Sequence, residues 1–364
     1  MKNKYFILTL TVLSLLFSIK FIPVSALTGS DTLNLEESIK SASNKNSELS
    51  ILNKKIEICD EKYKKSLDEK NDGAETSIET LRKGNVYPLQ RKKELEDAKW
   101  NYEEKRNDVI LDTERLYYLI LIQQELIDNE KNQVDRLENL LNQKKKEVEL
   151  GSVSKNSLRD YELSLESAKN KLQEFINEKN KLVMELNLKI GNPVRKELYI
   201  KNSNIPCEDL NEINLDNIIN ELIKKHHSIY SIEAEIEYTK NDKNNFIDIN
   251  SNEKYDDDIK DLEDKLIELN YNLEDAKKDL EYKVISNHNT ILNLKNSIEI
   301  KNLDYENKKS LLDSVIKKQK LGMATNSDYK IALENLNNAL ADYKKSQLEY
   351  YIAIQKFKFF IKCN

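Results

Sequence analysis

The sequence is short of the residues that interrupt helices. It holds six glycines and four prolines among 364 residues, whereas globular chains average about 7% glycine and 5% proline. Between Cys207 and Leu321 neither residue occurs. Folds built from many tight turns are therefore excluded, and the chain must form long helices or remain disordered.

Cysteine and histidine are also scarce, which limits the chemistry available to the chain. The three cysteines are Cys59, Cys207 and Cys363. An odd number at wide spacing predicts isolated thiols rather than a disulfide framework. The histidines are His226, His227 and His288. Because adjacent histidines on a helix point in different directions, they make a poor metal pair, and we expect solvated or core histidines.

No motif for catalysis or cofactor binding stands out. The sequence lacks a glycine-rich phosphate loop, and no serine or cysteine nucleophile is arranged with histidine and an acid. The run Asp256-Asp257-Asp258 lacks the glycine and the spaced ligands of a calcium loop, so it is interpreted as a solvated charge run. We therefore expect no enzyme, no metal site and no cofactor.

The first 26 residues differ from the rest of the chain. Lys2 and Lys4 precede an apolar run from Tyr5 to Phe17, and the segment ends in the small-x-small pattern Val24-Ser25-Ala26. This pattern predicts a secretory signal peptide cleaved after Ala26. An uncleaved anchor is the alternative, but the apolar run is short and Lys20 interrupts it. Loss of the three lysines in this segment takes the formal net charge from −6 to −9, which argues against nucleic-acid binding.

The remainder of the sequence is a duplication. Residues 34–58 align without a gap to residues 214–238 at an offset of 180, LEDAK occurs at 95–99 and at 273–277, and from Ile120 onward the offset is 171. The distances from Leu95 to Gly151 and from Leu273 to Gly322 differ by seven residues, one heptad. Because deletion of one heptad keeps a coiled-coil seam on its face, the segment before each glycine is predicted to be one continuous supercoiled helix.

Apolar residues recur every seven positions in both copies. The first copy has Ile120, Ile127, Val134, Leu141 and Val148, and the second has Ile291, Ile298, Tyr305 and Leu312 in the same register. Seams of this length are typical of coiled coils and exclude disorder. Each repeat is predicted to hold three helices, at 34–70, 88–150 and 154–190 and at 214–242, 258–321 and 326–361.

The predicted fold is all-α, with long antiparallel coiled-coil helices in two tandem three-helix repeats. The predicted divisions are a signal peptide (1–26), a first repeat (27–192), a linker (193–213) and a second repeat (214–364). Each middle helix is about 90 Å long, and its two flanking helices, roughly 55 Å each, cover it when placed end to end. The result is a thin rod with Gly151 and Gly322 at two hairpin tips, where Ser154 and Thr325 are expected to cap the next helices.

The sequence resembles the TolC family of outer membrane efflux proteins. The resemblance rests on the order of several features: an export signal, the opening helix NLEESIKSA...NSELSILNKKIE, a long helix ending in LGSVSKNSL, the closing stretch LVMELNLKIGNP, and the recurrence of the whole unit over about residues 33–361. The family also carries a pair of membrane-spanning β-strands between the first and second helix of each repeat. Residues 71–87 and 241–258 are interpreted as polar loops without such strands, so we expect a TolC-like α-barrel subunit without the β-barrel.

The resemblance implies a homotrimer whose repeats close into a helical duct of a tripartite-type efflux or type I secretion system. It implies a membrane fusion adaptor protein and an inner-membrane pump, such as an ABC transporter, as partners. The adaptor would dock on the hairpin tips, which by position are Gly151, Ser152, Ser154, Gly322, Ala324 and Thr325. The implied location is the cell envelope: the outer membrane or periplasm where one exists, otherwise the cell surface or the outside of the cell.

Two other hypotheses stay open. The chain could be an exported structural coiled-coil protein of the cell wall or surface with no transport role. A regulator of peptidoglycan hydrolases with coiled-coil hairpins is the second, although it does not explain the matched duplication. The C-terminal stretch YYIAIQKFKFFIKCN is expected to pack against the bundle, with contact to a lipid surface as the alternative.

Overall fold

The structure is almost entirely helical. It is a computed structural model that describes residues 32–71, 77–152, 154, 156, 158–210, 213–251 and 253–362; the predicted signal peptide and Cys363 lie outside them. The helices are α1 (Leu35–Lys45), α2 (Ser47–Asp68), α3 (Ile78–Asn85), α4 (Tyr87–Glu149), α5 (Leu158–Lys189), α6 (Leu215–Lys225), α7 (His227–Ile249), α8 (Asp256–Lys320) and α9 (Asn326–Lys362). Two short strands, β1 (Thr32–Leu33) and β2 (Tyr199–Ile200), pair in parallel. The predicted all-α fold is confirmed.

The two halves of the chain contain the same succession of helices. α1, α2, α4 and α5 in the first half correspond to α6, α7, α8 and α9 in the second. The long helices α4 and α8 have 63 and 65 residues, so each is about 95 Å long. α5 packs back along α4, and α9 packs back along α8. The helical hairpins of the two halves therefore have the predicted antiparallel arrangement.

The first helix of each half is broken, which the sequence analysis did not predict. Asn46 and His226, aligned at the offset of 180, have extended backbones between α1 and α2 and between α6 and α7. Asn46 Oδ1 accepts a hydrogen bond from the Leu49 N–H at 2.9 Å, and His226 Nδ1 accepts one from the Ser228 N–H at 3.2 Å. Because such side chains begin a new helix by binding its free amides, the continuous helices predicted at 34–70 and 214–242 are wrong at these residues.

The stretches interpreted as polar loops are helical over part of their length. Residues 78–85 form α3, and α7 continues to Ile249. Arg82 donates from Nε and Nη2 to the Asp242 carboxylate at 2.7 and 2.9 Å. The side-chain amides of Asn85 and Asn245 bond to each other in both directions, at 2.9 and 2.8 Å. Tertiary contacts thus stabilise helix where the local sequence predicts loop. Within the described ranges, β1 and β2 are the only strands.

α4 is the central helix of the rod. One side packs against α1, α2 and α5 of its own half, and the other packs against α7 and α9 of the second half. The heptad residues Ile120, Ile127, Val134 and Leu141 are all buried, as the pattern predicts. The main neighbours of α8 are α6, α7 and α9, all from its own half. The two long helices therefore have different environments although their sequence patterns match.

The linker folds back on α4. Gly191 ends α5 with φ of +72°, and the Asn192 N–H donates to the Asn187 carbonyl at 2.9 Å. β2 then pairs with β1. The Tyr117 hydroxyl donates to the Lys201 carbonyl at 2.5 Å, so a side chain of α4 anchors this strand pair.

The C-terminal part of α9 packs into the bundle, as expected. Ile354 and Phe357 are buried, and Phe360 lies against the ring of His226. Cys59 is buried and Cys207 is exposed, and neither forms a disulfide with another described residue. Every helix in the described part of the chain is too short or too polar to span a lipid bilayer.

Candidate partner-binding site

The first hairpin tip is a helix end closed by a glycine. Gly151 follows α4 with φ of +71°, in the left-handed region that glycine adopts without a Cβ clash. Its N–H donates to the Val148 carbonyl, and the Ser152 N–H donates to the Glu147 carbonyl, both at 2.9 Å. This pair of bonds is a Schellman motif, which satisfies carbonyls left free at the helix end.

The second tip has the same geometry. Gly322 has φ of +73° and donates to the Gln319 carbonyl at 3.0 Å, while the Met323 N–H donates to the Lys318 carbonyl at 2.8 Å. The Leu-Gly pair that occurs twice in the sequence, at 150–151 and at 321–322, therefore forms the same turn in both hairpins.

The helices that follow the tips begin differently. Thr325 Oγ1 accepts from the Asp328 N–H at 3.1 Å, and the Asp328 carboxylate accepts from the Thr325 N–H at 2.7 Å. The hydrogen bond from the Thr325 N–H and, to a smaller extent, the one from the Thr325 hydroxyl lower the pKa of Asp328. This reciprocal arrangement caps α9, as predicted. α5 begins at Leu158, four residues after the predicted helix start at 154. The predicted cap at Ser154 depends on residues that lie partly outside the described ranges, and it stays a prediction.

Exposed apolar side chains stand beside both tip glycines. Leu150 is 81% exposed, Leu321 is 74% exposed and Met323 is 73% exposed. Neighbouring apolar side chains exposed at the end of a protein are typical of partner-binding surfaces. The sequence analysis named the glycines and missed these residues, although the repeated Leu-Gly phrase contained the signal.

A cleft of about 1190 Å³ separates the two hairpins near their tips. Gly322, Ala324 and Thr325 line it from the second tip, and Tyr161 lines it from the first hairpin. The structure therefore brings these three predicted residues together around one cavity. Gly151, Ser152 and Ser154 are exposed at the first tip and do not line the cleft.

Arg136 joins the two hairpins at this cleft. Its Nη2 donates to Gln319 Oε1 at 2.5 Å, and its guanidinium carbon lies 3.2 Å from the centroid of the Tyr329 ring. A cation–π contact of this kind contributes about 0.5–2 kcal/mol. Gln319 Nε2 in turn donates to Asn326 Oδ1 at 2.6 Å. The relative position of the two tips is thus fixed by side chains from three helices.

A second candidate surface runs along α8. None of the large apolar side chains of α4, a helix described throughout, is exposed. α8 exposes eight, spread along most of its length: Ile267, Tyr271, Tyr282, Ile285, Leu292, Ile300, Leu303 and Leu311. The difference follows from the packing, because the second half of the chain covers one side of α4 and, among the described residues, no element of comparable length covers the same side of α8.

Two positions of this stripe correspond to an occupied surface on α4. When the offset of 171 is continued back from Ile120 along the same two helices, Leu111 and Glu114 match Tyr282 and Ile285. Leu111 is 4% exposed and Glu114 is 8% exposed, whereas Tyr282 is 69% exposed. Glu114 faces α9 of the second half, where it hydrogen-bonds Tyr351. Burial raises the pKa of the Glu114 carboxyl, and the bond to Tyr351, which lowers it, offsets only part of this effect.

α2 carries a matching exposed pair. Ile51 is 68% exposed and Ile58 is 43% exposed; they lie one heptad apart. Their counterparts on α7 at the offset of 180 are Ser231 and Tyr238, which face α4: Ser231 hydrogen-bonds Asp97, and Tyr238 lies near the same carboxylate. Thus α2 leaves uncovered the face that α7 packs against α4.

Comparison with known proteins identifies the fold. No protein-family model and no curated protein matches the sequence. Among solved structures, the outer membrane protein VceC of Vibrio cholerae matches with a TM-score of 0.65 and 9% identity, over 91% of this chain and 96% of VceC. The CmeC outer membrane channel of Campylobacter jejuni matches with 0.64 and 12%, over 90% and 85%. CusC matches with 0.68 and 10%, over 90% and 91%.

The chain has the TolC fold. The matches span nearly the whole described chain, so both halves, and not one hairpin alone, follow the TolC arrangement. The resemblance found in the sequence is confirmed at the level of fold. At identities near 10% the likeness shows the fold alone.

Proposed function

We propose that this chain is a subunit of a TolC-like helical duct, in which three copies close into a ring of six repeats. The observation that carries the proposal is the contrast between α4 and α8. α4 has its outer side covered by the second half of the chain, whereas the aligned side of α8 exposes an apolar stripe. A stripe of this length is expected to be covered by another chain.

The two exposed faces complement each other in a head-to-tail assembly. Within one chain, α7 packs against α4. If the α8 stripe of one copy packs on α2 of the next, Ile51 and Ile58 take the places that Ser231 and Tyr238 occupy on α4. The contact between copies then repeats the contact between halves. Heterologous contacts of this kind generate closed rings when the rotation closes.

The hairpin tips are the proposed docking site for a membrane fusion adaptor. Both tips lie at one end of the rod, because Arg136 near the end of α4 contacts Tyr329 near the start of α9. Leu150, Leu321 and Met323 provide the apolar contact, and Gly322, Ala324 and Thr325 line the cleft between hairpins. The pump at the other end of the adaptor would be an inner-membrane transporter such as an ABC transporter, in an efflux or type I secretion system.

The proposed location is the cell envelope, reached by means of the N-terminal export signal. The proposed duct involves no catalytic step, so we propose a transport component rather than an enzyme. VceC is an outer membrane protein and CmeC is an outer membrane channel, which agrees with this placement.

The assembly is tested by placing charge on the stripe. In the variant Leu292→Lys/Leu303→Lys, two exposed residues of α8 become cations, and the trimer is expected to dissociate to monomers in light scattering. The matched control is Ile247→Lys/Ile331→Lys, which alters two exposed residues away from the stripe and should leave the trimer intact. Equal masses for both variants and for the unmodified protein would remove the stripe from the interface.

Adaptor docking is tested separately at the tips. Leu150→Ser/Leu321→Ser should weaken binding of a purified membrane fusion protein by at least about tenfold, because burial of a leucine side chain contributes about 1.5–3 kcal/mol and a tenfold change in affinity corresponds to about 1.4 kcal/mol. Leu188→Ser is the control, since Leu188 is 63% exposed but lies near the end of α5 that is remote from the tips. Unchanged adaptor binding in the tip variant would favour a structural coiled-coil role.

A further inference from the structure

An open groove lies where α4, α7 and the ends of α6 and α9 meet. Its volume is about 950 Å³, within the range of small-molecule sites. Trp100, His227 and Phe359 form its floor, with Tyr230 beside them. Five lysines surround it: Lys92, Lys99, Lys224, Lys225 and Lys362. An apolar floor inside a basic rim requires explanation on a chain whose formal charge is −6.

The floor is a stack of three rings. The indole of Trp100 lies nearly parallel to the His227 ring, with centroids 5.2 Å apart, and is also stacked with Phe359 at 6.0 Å. His227 is held in place by its Nε2, which lies 2.9 Å from the Asp97 carboxylate. The rings are half-buried, so their edges form a fixed apolar wall that faces the groove.

The positive charge of the groove is neutralised only in part by neighbouring acids. Lys99 pairs with Glu96 at 2.9 Å, and Glu103 pairs with Arg106 at 3.2 Å. Within the described residues, Lys92, Lys224, Lys225 and Lys362 form no salt bridge. Three glutamates, Glu96, Glu103 and Glu233, face the same space. The lysines therefore exceed the acids by two.

Helix ends account for part of this charge and not all of it. Lys224 and Lys225 lie in the last turn of α6, and Lys362 lies in the last turn of α9. Each helix C-terminus is equivalent to about half a negative charge, so two of them offset about one lysine. The groove keeps a net positive charge and is complementary to an anion.

The groove does not follow from the duplicated architecture. Lys278 is the counterpart of Trp100 at the offset of 178, Leu188 is that of Phe359 at 171, and Gly191 is that of Lys362. The aligned region of the other half therefore lacks both the ring stack and the terminal lysine. A helix junction alone does not require these residues, so a ligand is the more specific explanation.

The same face of α9 continues the surface toward the hairpin tips. Lys345, Ile352, Lys356 and Phe359 recur at spacings that place them along one side of the helix, and a second groove of about 500 Å³ is lined by Lys345, Ile352 and Lys356 together with Arg115. The opposite side of α9 faces the linker, where the Tyr350 hydroxyl lies 3.2 Å from Asp209. Apolar residues and lysines thus continue along the side turned away from the linker, where Glu178 and Glu349 also line the second groove.

We propose that the Trp100 groove binds an amphiphilic anion, a molecule with an apolar chain and one carboxylate, sulfate or phosphate head. The chain lies along Trp100 and Phe359, and the head is placed between Lys224, Lys225 and Lys362. As a ligand site the groove is independent of assembly. As a contact for transported cargo it rests on the proposed duct, whose substrates would then include such amphiphiles.

The single tryptophan makes the test direct. Trp100 is the only tryptophan of the chain, so its fluorescence reports on the groove alone. The purified protein is titrated with dodecanoate below its micelle concentration, with dodecyltrimethylammonium as a cation of the same chain length, and with acetate as the same head without the chain. Dodecanoate is expected to give a saturable change in emission with one site per chain, and the other two none in the same range.

Charge variants locate the head group. Lys224→Gln/Lys225→Gln/Lys362→Gln is expected to weaken dodecanoate binding by about fivefold or more, since three exposed charges are removed. The control is Lys317→Gln/Lys318→Gln/Lys320→Gln, which removes the same charge from the last turn of α8 and should bind as the unmodified protein does. Phe359→Ala should weaken binding through the apolar wall while leaving the preference for the anion.

Three results would overturn the site: equal binding of the cationic amphiphile, no change in Trp100 emission with dodecanoate, or equal weakening by both lysine variants. The oligomeric state is measured on the same samples by light scattering. Selective binding by a protein that does not trimerise would keep the site and remove the duct. A trimer that does not bind dodecanoate would keep the duct and remove the site.

Discussion

Arg82 and Asp242 form a two-pronged ion pair that joins the two halves of the chain at the end of the rod opposite the hairpin tips. Arg82 also lies 5.0 Å from the Phe246 ring, and its neighbour Asn85 bonds to Asn245. α3 has no counterpart in the described part of the second half, so this contact exists only between halves of one chain. It fixes the relation of the two halves before any assembly.

Loss of this pair should destabilise the protein measurably. The side chains of Arg82 and Asp242 are 30% and 14% exposed, so Arg82→Ala leaves a largely buried carboxylate without its partner. We expect the free energy of unfolding to fall by about 1–3 kcal/mol, measured by urea denaturation. Lys54→Ala is the control, because its pair with Glu57 is exposed on both sides; a loss there as large as at Arg82 would contradict the argument.

Substitution of glycine by alanine should lower stability in the turns and raise it within α3. Gly151→Ala and Gly322→Ala place a Cβ at positive φ, and each should cost about 1 kcal/mol. Gly191→Ala should cost more, because its Cβ would also stand 2.8 Å from Lys45 Cγ. Gly84 lies in α3 with open space around it, so Gly84→Ala should stabilise the protein by about 0.5–1 kcal/mol. Thermal unfolding of the four variants checks this order.

The buried histidine at the break between α6 and α7 should make the protein acid-sensitive. Burial, followed by the charges of His227 and Lys283, lowers the pKa of His226 from 6.5 to about 4; Trp100 and Phe360 pack around the ring. The unfolded chain therefore binds the proton first. As the pH falls from about 6.5 to 4, the free energy of unfolding should decrease, by at most about 3 kcal/mol.

Replacement of His226 by the aligned residue tests whether this histidine causes the acid sensitivity. Asn46 has the corresponding place between α1 and α2 and caps its helix, so His226→Asn should keep the cap and flatten the dependence of stability on pH in that window. Asp97 does not mask the effect. Although burial raises its pKa, hydrogen bonds from His227, Lys93 and Ser231 lower it to about 2, so its stabilisation is lost only at lower pH. The control His288→Asn should leave the dependence of stability on pH unchanged. If His226→Asn also leaves it unchanged, another group causes the acid sensitivity.

Engineered cysteines can detect the contact between copies. Ser231 hydrogen-bonds Asp97 within one chain, and the aligned residues are Ile51 and Asp275. With the native cysteines replaced by serine, Ile51→Cys/Asp275→Cys should form disulfides between copies on mild oxidation and yield covalent dimers and trimers on a denaturing gel. Ile51→Cys/Ile331→Cys, with both positions exposed, should give monomers. A ladder from both pairs would indicate random collision.

The sequence predicted the long helices because their information is local and periodic. Ile120, Ile127 and Leu141 recur every seven residues and are buried, and the two Leu-Gly phrases form equivalent turns at Gly151 and Gly322. α3 was missed for the opposite reason. Residues 78–85 show no sustained apolar period, and their helix is stabilised by Arg82 and Asn85 reaching α7.

The candidate surfaces could be predicted only in part. Tip positions follow from the glycines, but the exposure of Leu150 and Leu321 depends on the absence of neighbouring elements. The same limit applies to the long helices: α4 and α8 share one heptad pattern, and only the packing shows that one is covered and the other is not. The groove at Trp100 joins residues from four helices, a proximity that no local pattern contains.

The most direct test of the duct is the molar mass and shape of the purified protein, measured by light scattering together with small-angle X-ray scattering. We expect a stable trimer with an elongated, hollow profile, because a partner copy would cover the α8 stripe and the exposed residues Ile51 and Ile58 of α2. A monomeric or dimeric rod at high protein concentration would contradict a self-assembled conduit and favour an exported structural coiled-coil protein.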